Sequence, residues 1–249
     1  MSLAESKSAL GQASPRQHAC LRAAFVEWWA YECVFSWQQP FAELALPDVV
    51  GRPGQRGVLL LHGFRCNRGL WHRWVRCLNE QGVPHRSLSL SPPFASIDDY
   101  ASQIDAAVQG LWQETGQAPV VVAHSMGGLA LRAWRRATAA APERIHHVYT
   151  LGTPHAGTLM AQLSRAPNAR QMRVDSAWLQ TLAASEAAVW RQRFTCFVSA
   201  CDQVVCPSTR ATLPDAEWIS VPATGHLQLV HEPLVMQTVL ARLRRESEH

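Results

Sequence analysis

A serine, an aspartate and a histidine stand, in that chain order, where the sequence changes character: Ser125 in "PVVVAHSMGGLALRAW", Asp202 in "SACDQVVCP" and His226 in "ATGHLQLVHEP". A serine hydroxyl is a poor nucleophile at neutral pH. It attacks a carbonyl when an imidazole takes its proton and a carboxylate holds that imidazole in orientation. Ser125 follows an apolar run and precedes a helical pattern, with Ala123 two residues before it and Gly127 two after. A nucleophile at such a seam needs small neighbours, because the turn is tight and larger side chains would strike the flanking strand and helix. Glycine is commonest where Ala123 stands, and one extra methyl group is a tolerated departure.

The remaining chemistry follows from the same seam. Backbone N–H groups must meet the oxyanion that forms on attack, one from the residue after the nucleophile and one from the loop after an earlier strand. Met126 supplies the first; Phe64, or Arg65 if the loop is offset by one, supplies the second, with Gly63 allowing close approach of the backbone. His62, Gly63 and His124 border this region and are expected to contact substrate. The rival acids and base are weaker candidates. Asp175 and Asp215 do not follow a strand, Asp98 and Asp99 precede the serine and suit a helix N-terminus, and His231 falls within the last helical pattern.

Positioning these groups takes alternating strands and helices. "GVLLLH", "HRSLSL", "PVVVAH", "IHHVYTLG", "FTCFVSA" and "EWISV" read as six strands, several of them uninterrupted apolar runs of the kind buried in a parallel sheet. Between the first two strands, Arg68–Gly82 is amphipathic and closes on a glycine. Ile97, Tyr100, Ile104, Val108 and Leu111 step by three and four behind a capping pair, Ser96 and Asp99. A last helix is expected from about Leu227 to Arg244, interrupted early by Pro233. The pattern predicts an α/β fold with a mostly parallel central sheet and helices on both faces. In such sheets ligands bind beyond the carboxyl ends of the strands, where Gly63, Ser125, Thr153 and Asp202 all fall.

"LLLHGF", "AHSMGG" and "LGTPHAGT" together resemble the α/β-hydrolase fold superfamily, within it the bacterial esterase and lipase group; the AHSMGG elbow is similar to that of certain Bacillus lipases. The resemblance spans roughly Gly57 to Glu232. It implies Ser125 as nucleophile, Asp202 as acid, His226 as base, and Phe64 with Met126 as oxyanion donors. It also implies that Thr153 and His155, in the loop Gly152–Thr158, line the floor of the pocket. The expected organisation is an N-terminal helical arm, 1–50, and a hydrolase domain, 51–249, with a short lid insertion at about 156–193. Leu159, Met160, Leu163, Trp178 and Leu179 of that insertion are candidates to face an acyl chain. The implied activity is hydrolysis of small-molecule carboxylic esters of short to medium acyl chain, with no cofactor and no metal. The same residues would also serve an amidase, a thioesterase or a carbon–carbon hydrolase, and a fold of this kind can bind a ligand without catalysis.

Composition sets outer limits. The chain has 249 residues, 47% hydrophobic and 17% charged, enough to bury one large core. A formal charge of +4 without a Lys/Arg run is mild, so no nucleic-acid partner is expected, and Arg132, Arg135 and Arg136 read as a solvated helix face. Seven cysteines without CxxC spacing read as free buried thiols. Met1–Gln17 lacks an apolar core, so a cytoplasmic protein is expected. The tryptophan-rich arm from Phe25 to Trp37 reads as a helix packed on the domain, with peripheral contact at a membrane or lipid interface as its alternative.

Overall fold

Side chains of a strand alternate between its two faces, and here they feed two separate cores. Leu59, Leu61, Val121, Ala123, Val148 and Phe194 enter the first, and Val58, Leu60, Val120, Val122, Tyr149 and Phe197 enter the second. The computed structural model describes residues 15–43, 45–138 and 142–247. The polar stretch before Pro15, on which the expectation of no leader rested, lies outside them.

The strands are β1 (Val58–Leu61), β2 (His85–Leu88), β3 (Val120–His124), β4 (His147–Leu151), β5 (Phe194–Val198) and β6 (Glu217–Ser220). They form a single six-stranded sheet in the order β2-β1-β3-β4-β5-β6, and every neighbouring pair is parallel. The order reverses between β1 and β3, and parallel neighbours require the crossovers that place helices on both faces. The α/β architecture expected from the alternating pattern is the one observed.

The helices are α1 (Pro15–Glu32), α2 (Gln39–Ala42), α3 (His72–Glu80), α4 (Ala101–Thr115), α5 (Met126–Thr138), α6 (Pro167–Gln171), α7 (Ala177–Ala184), α8 (Ala188–Arg191) and α9 (Pro233–Ser247). Residues of α4 and α5 pack with the first core, and those of α3 and α9 with the second. Ser96 and Asp99 make the expected capping box ahead of α4, which ends on Gly116 in the left-handed region. The end of the chain differs from expectation. Gln228–His231 form a separate 3-10 turn, and α9 starts at Pro233. Proline has no N–H to donate and a φ already suited to a first turn, so Pro233 begins this helix and does not interrupt one.

Arg132 also departs from the sequence reading. Its side chain is 1% exposed and pairs with Glu186, itself 2% exposed, through two hydrogen bonds of 2.8 and 2.6 Å. Arg135 and Arg136 lie over the rings of Trp190 and Trp178. This helix face is packed against the insertion.

The arm comprises α1, a π-helical turn at Cys33–Gln38, and α2. One side of it is buried at Ala23, Glu27 and Val34, while Leu21, Phe25, Trp28, Trp29, Trp37 and Phe41 face outward. It is therefore a docked helix with an exposed aromatic stripe. No helix among the described residues is long and apolar enough to cross a membrane. A disulfide joins Cys20 of α1 to Cys201, which corrects the reading of all seven cysteines as free thiols. Its half-cystines lie 181 residues apart, so no local spacing announces the pair.

The insertion after Gly157 is built from a 3-10 turn (Leu159–Leu163) followed by α6, α7 and α8. Gln171 accepts from the Ile97 N–H at 2.7 Å, the Trp178 indole donates to Asp98 at 2.9 Å, and the Thr158 hydroxyl bonds the Val204 carbonyl. Leu179 is buried in the first core and Trp178 packs against it, which removes both from the acyl-facing candidates. Leu159, Met160 and Leu163 are exposed.

Candidate active site

β3 delivers Ser125 to the carboxyl edge of the sheet and α5 carries the chain away at once. The turn between them forces Ser125 to φ 52°, a left-handed conformation that costs a non-glycine residue on the order of 1–3 kcal/mol. Two backbone bonds hold it there: Ser125 N–H to the Leu151 carbonyl at 2.9 Å, and Gly128 N–H to the Ser125 carbonyl at 3.2 Å. A β-carbon on Gly127 would lie 2.5 Å from the Leu61 carbonyl oxygen, and one on Gly128 would lie 2.3 Å from the Thr153 hydroxyl. Those distances explain the small residues. Ala123 sits in β3 opposite Leu61 and Thr150, fully buried, and its methyl group is accommodated in the first core.

The imidazole of His226 meets both other side chains. Its Nε2 lies 2.9 Å from the Ser125 hydroxyl and its Nδ1 lies 2.8 Å from Asp202 Oδ2. The carboxylate fixes the tautomer: Nδ1–H donates to Asp202, leaving Nε2 to accept from the serine. Asp202 is held in turn, its Oδ1 accepting the N–H groups of Val204 and Val205, each at 2.8 Å. All three side chains are nearly buried, and Ser125 retains 7% exposure. Burial works against a charged imidazole at His226, but the Asp202 charge and hydrogen bond, aided by Glu27, outweigh it and raise the pKa above 6.5.

Met126 is the first residue of α5, so its N–H has no acceptor within the helix. Phe64 follows Gly63 in the loop after β1, and a β-carbon on Gly63 would lie 2.9 Å from that of Ser125. Arg65, the alternative donor, takes φ 61° in the same loop.

A family model for the alpha/beta hydrolase family matches residues 58–247. The chain belongs to that family. No curated protein matches this α/β-hydrolase in sequence. Among solved structures, it is similar to the mature lipase BlEst2 of Bacillus licheniformis, with a TM-score of 0.67 and 16% identity over 79% of this chain and 95% of that one. A Paleococcus ferrophilus monoacylglycerol lipase gives 0.54 and 17% over 80% and 97%. A thermophilic esterase from Thermogutta terrifontis gives 0.53 and 18% over 81% and 93%. At such identities the likeness is one of fold.

The histidines of this α/β-hydrolase that were expected to contact substrate are instead engaged with the protein. His62 is buried, its Nδ1–H donating to the Gly63 carbonyl at 2.8 Å and its Nε2 accepting from Leu90 N–H at 2.8 Å. Desolvation pushes its pKa down to about 4, so it is a neutral brace for the Phe64 loop. His124 is buried and its Nε2–H donates to the His226 carbonyl at 3.2 Å. Desolvation, with His226 adding to it, keeps its pKa well below the usual value. His155 lies between Arg132, at 3.4 Å, and the Thr150 hydroxyl, at 3.2 Å, and is likewise held neutral by burial. Thr153 is fully buried against Gly128. Of the five expected contact residues, His62 and His155 have both ring nitrogens engaged within the protein, whereas His124 Nδ1 and the Thr153 hydroxyl are buried without a hydrogen-bond partner among the described residues.

Three of the four rival acids are engaged elsewhere. Asp98 bonds Arg136 and Trp178, Asp99 accepts the Ser96 N–H in the capping box ahead of α4, and Asp215 pairs with Arg191. Two residues escaped the sequence reading. Gly152, at φ 57°, lies so close that a β-carbon would come within 3.0 Å of both Asp202 Oδ2 and His226 Nδ1. The second is Glu27, whose carboxylate reaches the turn after His226. The "GT" step after β4 signals the first; nothing local signals the second.

Proposed function

We propose that this α/β-hydrolase is a serine carboxylic ester hydrolase that works through an acyl-enzyme. The reading is carried by one observation, the His226 imidazole bridging Ser125 at 2.9 Å and Asp202 at 2.8 Å on a left-handed elbow. The serine oxygen bonds to the ester carbonyl carbon as its proton passes to His226 Nε2. The negative charge on the former carbonyl oxygen is met by the N–H groups of Met126 and Phe64. Collapse breaks the bond to the alcohol oxygen, which leaves with the proton from His226. Water, deprotonated by the same imidazole, then attacks the acyl-enzyme and releases the acid.

The proposed substrates are esters of short to medium acyl chain. Arg165, Arg170 and Arg173 interrupt the apolar runs of the insertion, so Leu159, Met160 and Leu163 do not extend into the broad apolar surface that docking on oil requires. Each methylene that enters the pocket adds up to about 0.8 kcal/mol until the pocket ends. A fluorophosphonate probe should label Ser125, and Ser125→Ala should stay folded while losing several powers of ten in ester hydrolysis. Across p-nitrophenyl esters from about two to about sixteen carbons, kcat/KM should peak at about four to eight. An unlabelled Ser125 sinks the mechanism, and a maximum at the longest chains sinks the substrate class.

A further inference from the structure

Glu27 is an acidic residue buried in an aromatic helix, and it is 6% exposed. A carboxyl group taken out of water needs compensation. Here two backbone amides provide it: Leu227 N–H donates to Oε1 at 2.6 Å, and Gln228 N–H donates to Oε2 at 3.1 Å. With both oxygens accepting, the anion is the form this site fits. Its partners are the two residues that follow His226. Gly225, which precedes His226, permits the approach, since a β-carbon there would fall 2.3 Å from Glu27 Oε2. Gln228 closes the turn by accepting Gly225 N–H at 2.8 Å.

The arm that presents Glu27 is anchored beside the acid as well. Its Cys20 is bonded to Cys201, the residue before Asp202. Ser199 ties the two loops together, its hydroxyl accepting Cys201 N–H at 3.1 Å and Thr224 N–H at 3.3 Å. One helix therefore grips the Asp202 loop covalently and the His226 turn through a carboxylate.

We propose that Glu27 is a positioning residue for the hydrolytic reaction: from the disulfide-anchored arm, its carboxylate holds the His226 turn at the register where the imidazole spans Ser125 and Asp202. The inference rests on the serine-hydrolase reading above. A displacement of about 1 Å in such an arrangement can cost about a hundredfold in rate. The carboxylate also acts through its charge. His226 is faced by Asp202 from the loop after β5, by His124 from the end of β3 and by Glu27 from α1. Glu27 is itself faced by His226, Asp202 and Tyr31. Burial raises the Glu27 pKa against the pull of its two amide bonds and His226, while the Glu27 anion favours the imidazolium.

The test uses the full chain, with Glu27→Gln and Glu27→Ala compared with wild type. It follows hydrolysis of p-nitrophenyl butyrate and the rate of fluorophosphonate labelling of Ser125 from about pH 5 to about pH 9. Glu27→Ala should lower kcat about 10- to 100-fold with KM little changed, because the substrate site is intact and the base is misplaced. Glu27→Gln keeps the shape and loses the charge. It should shift the acid limb of the labelling rate to lower pH, an effect that mere loss of packing does not produce. Should Glu27→Ala fail to fold, the isosteric variant decides. Labelling of the wild type combined with unshifted limbs and unchanged kcat in the folded variants overturns the role of Glu27 alone. Absence of labelling in the wild type overturns the hydrolase reading and the inference with it.

Discussion

The imidazole of His226 is pulled in two directions, by burial, which disfavours its charge, and by Asp202, which favours it. The second wins, so the group titrates above its ordinary value of 6.5. Under the proposed mechanism only the neutral ring accepts the serine proton. Activity must then be low while His226 is protonated and rise as pH passes upward through that raised pKa. The acid limb of kcat/KM should lie above 6.5, and a profile flat from about pH 5 to about pH 9 would remove His226 as the base. Asp202→Asn discards the charge and the correct tautomer, at a cost approaching about ten-thousandfold in kcat by analogy with other triads, and moves the same limb to lower pH. Asp175→Asn serves as the control and should leave both nearly untouched; the reverse order would place the acid in the insertion. These positions were legible because each follows a strand. The commitment of His62, His124 and His155 to internal hydrogen bonds was not, since the partners of a ring nitrogen depend on neighbours that no local pattern names.

At the scale of elements, the uninterrupted apolar runs of β1 and β3, buried at every residue, and the three-and-four spacing of α4 were readable because each signal is complete within a few residues. The pairing of α5 with the insertion was not, as Glu186 stands 54 residues after Arg132 and no repeat links them. The consequence is energetic. Arg132 is desolvated, paired bidentately with Glu186 and bonded through its third nitrogen to His155, so removing it leaves Glu186 as an uncompensated buried anion. Arg132→Met should destabilise the fold by about 3–5 kcal/mol, whereas replacing both partners with apolar residues should restore much of that loss. Denaturant unfolding of the single and double variants checks it. A single variant within about 0.5 kcal/mol of wild type would mean that the pair is solvated in solution.

For the molecule as a whole, the arm is the part that sequence patterns describe least. Its helical spacing and tryptophans were visible, yet its function in the fold depends on contacts with residues about two hundred positions away, at Cys201, Leu227 and Gln228. Of these contacts the Cys20–Cys201 bond, being covalent, also constrains the unfolded chain. A crosslink that closes a loop of 181 residues should stabilise the native state by about 2–5 kcal/mol, chiefly by removing conformations the open chain would otherwise sample. Cys20→Ser should therefore lower the melting temperature, and a reducing agent should bring the wild type down to the same value while leaving the variant unmoved. The thiol count offers an independent reading. Of seven cysteines, five are free, so alkylation of the denatured, unreduced protein should modify five, and all seven after reduction. The arm reaches both catalytic loops, so partial unfolding that begins at its release should be read out as lost hydrolysis. On heating, activity of Cys20→Ser should fall below the temperature at which the sheet core melts, whereas in the oxidised wild type the two should coincide. Identical melting of oxidised and reduced wild type, with seven cysteines modified before reduction, would show the bond absent and the arm held by Glu27 and packing alone.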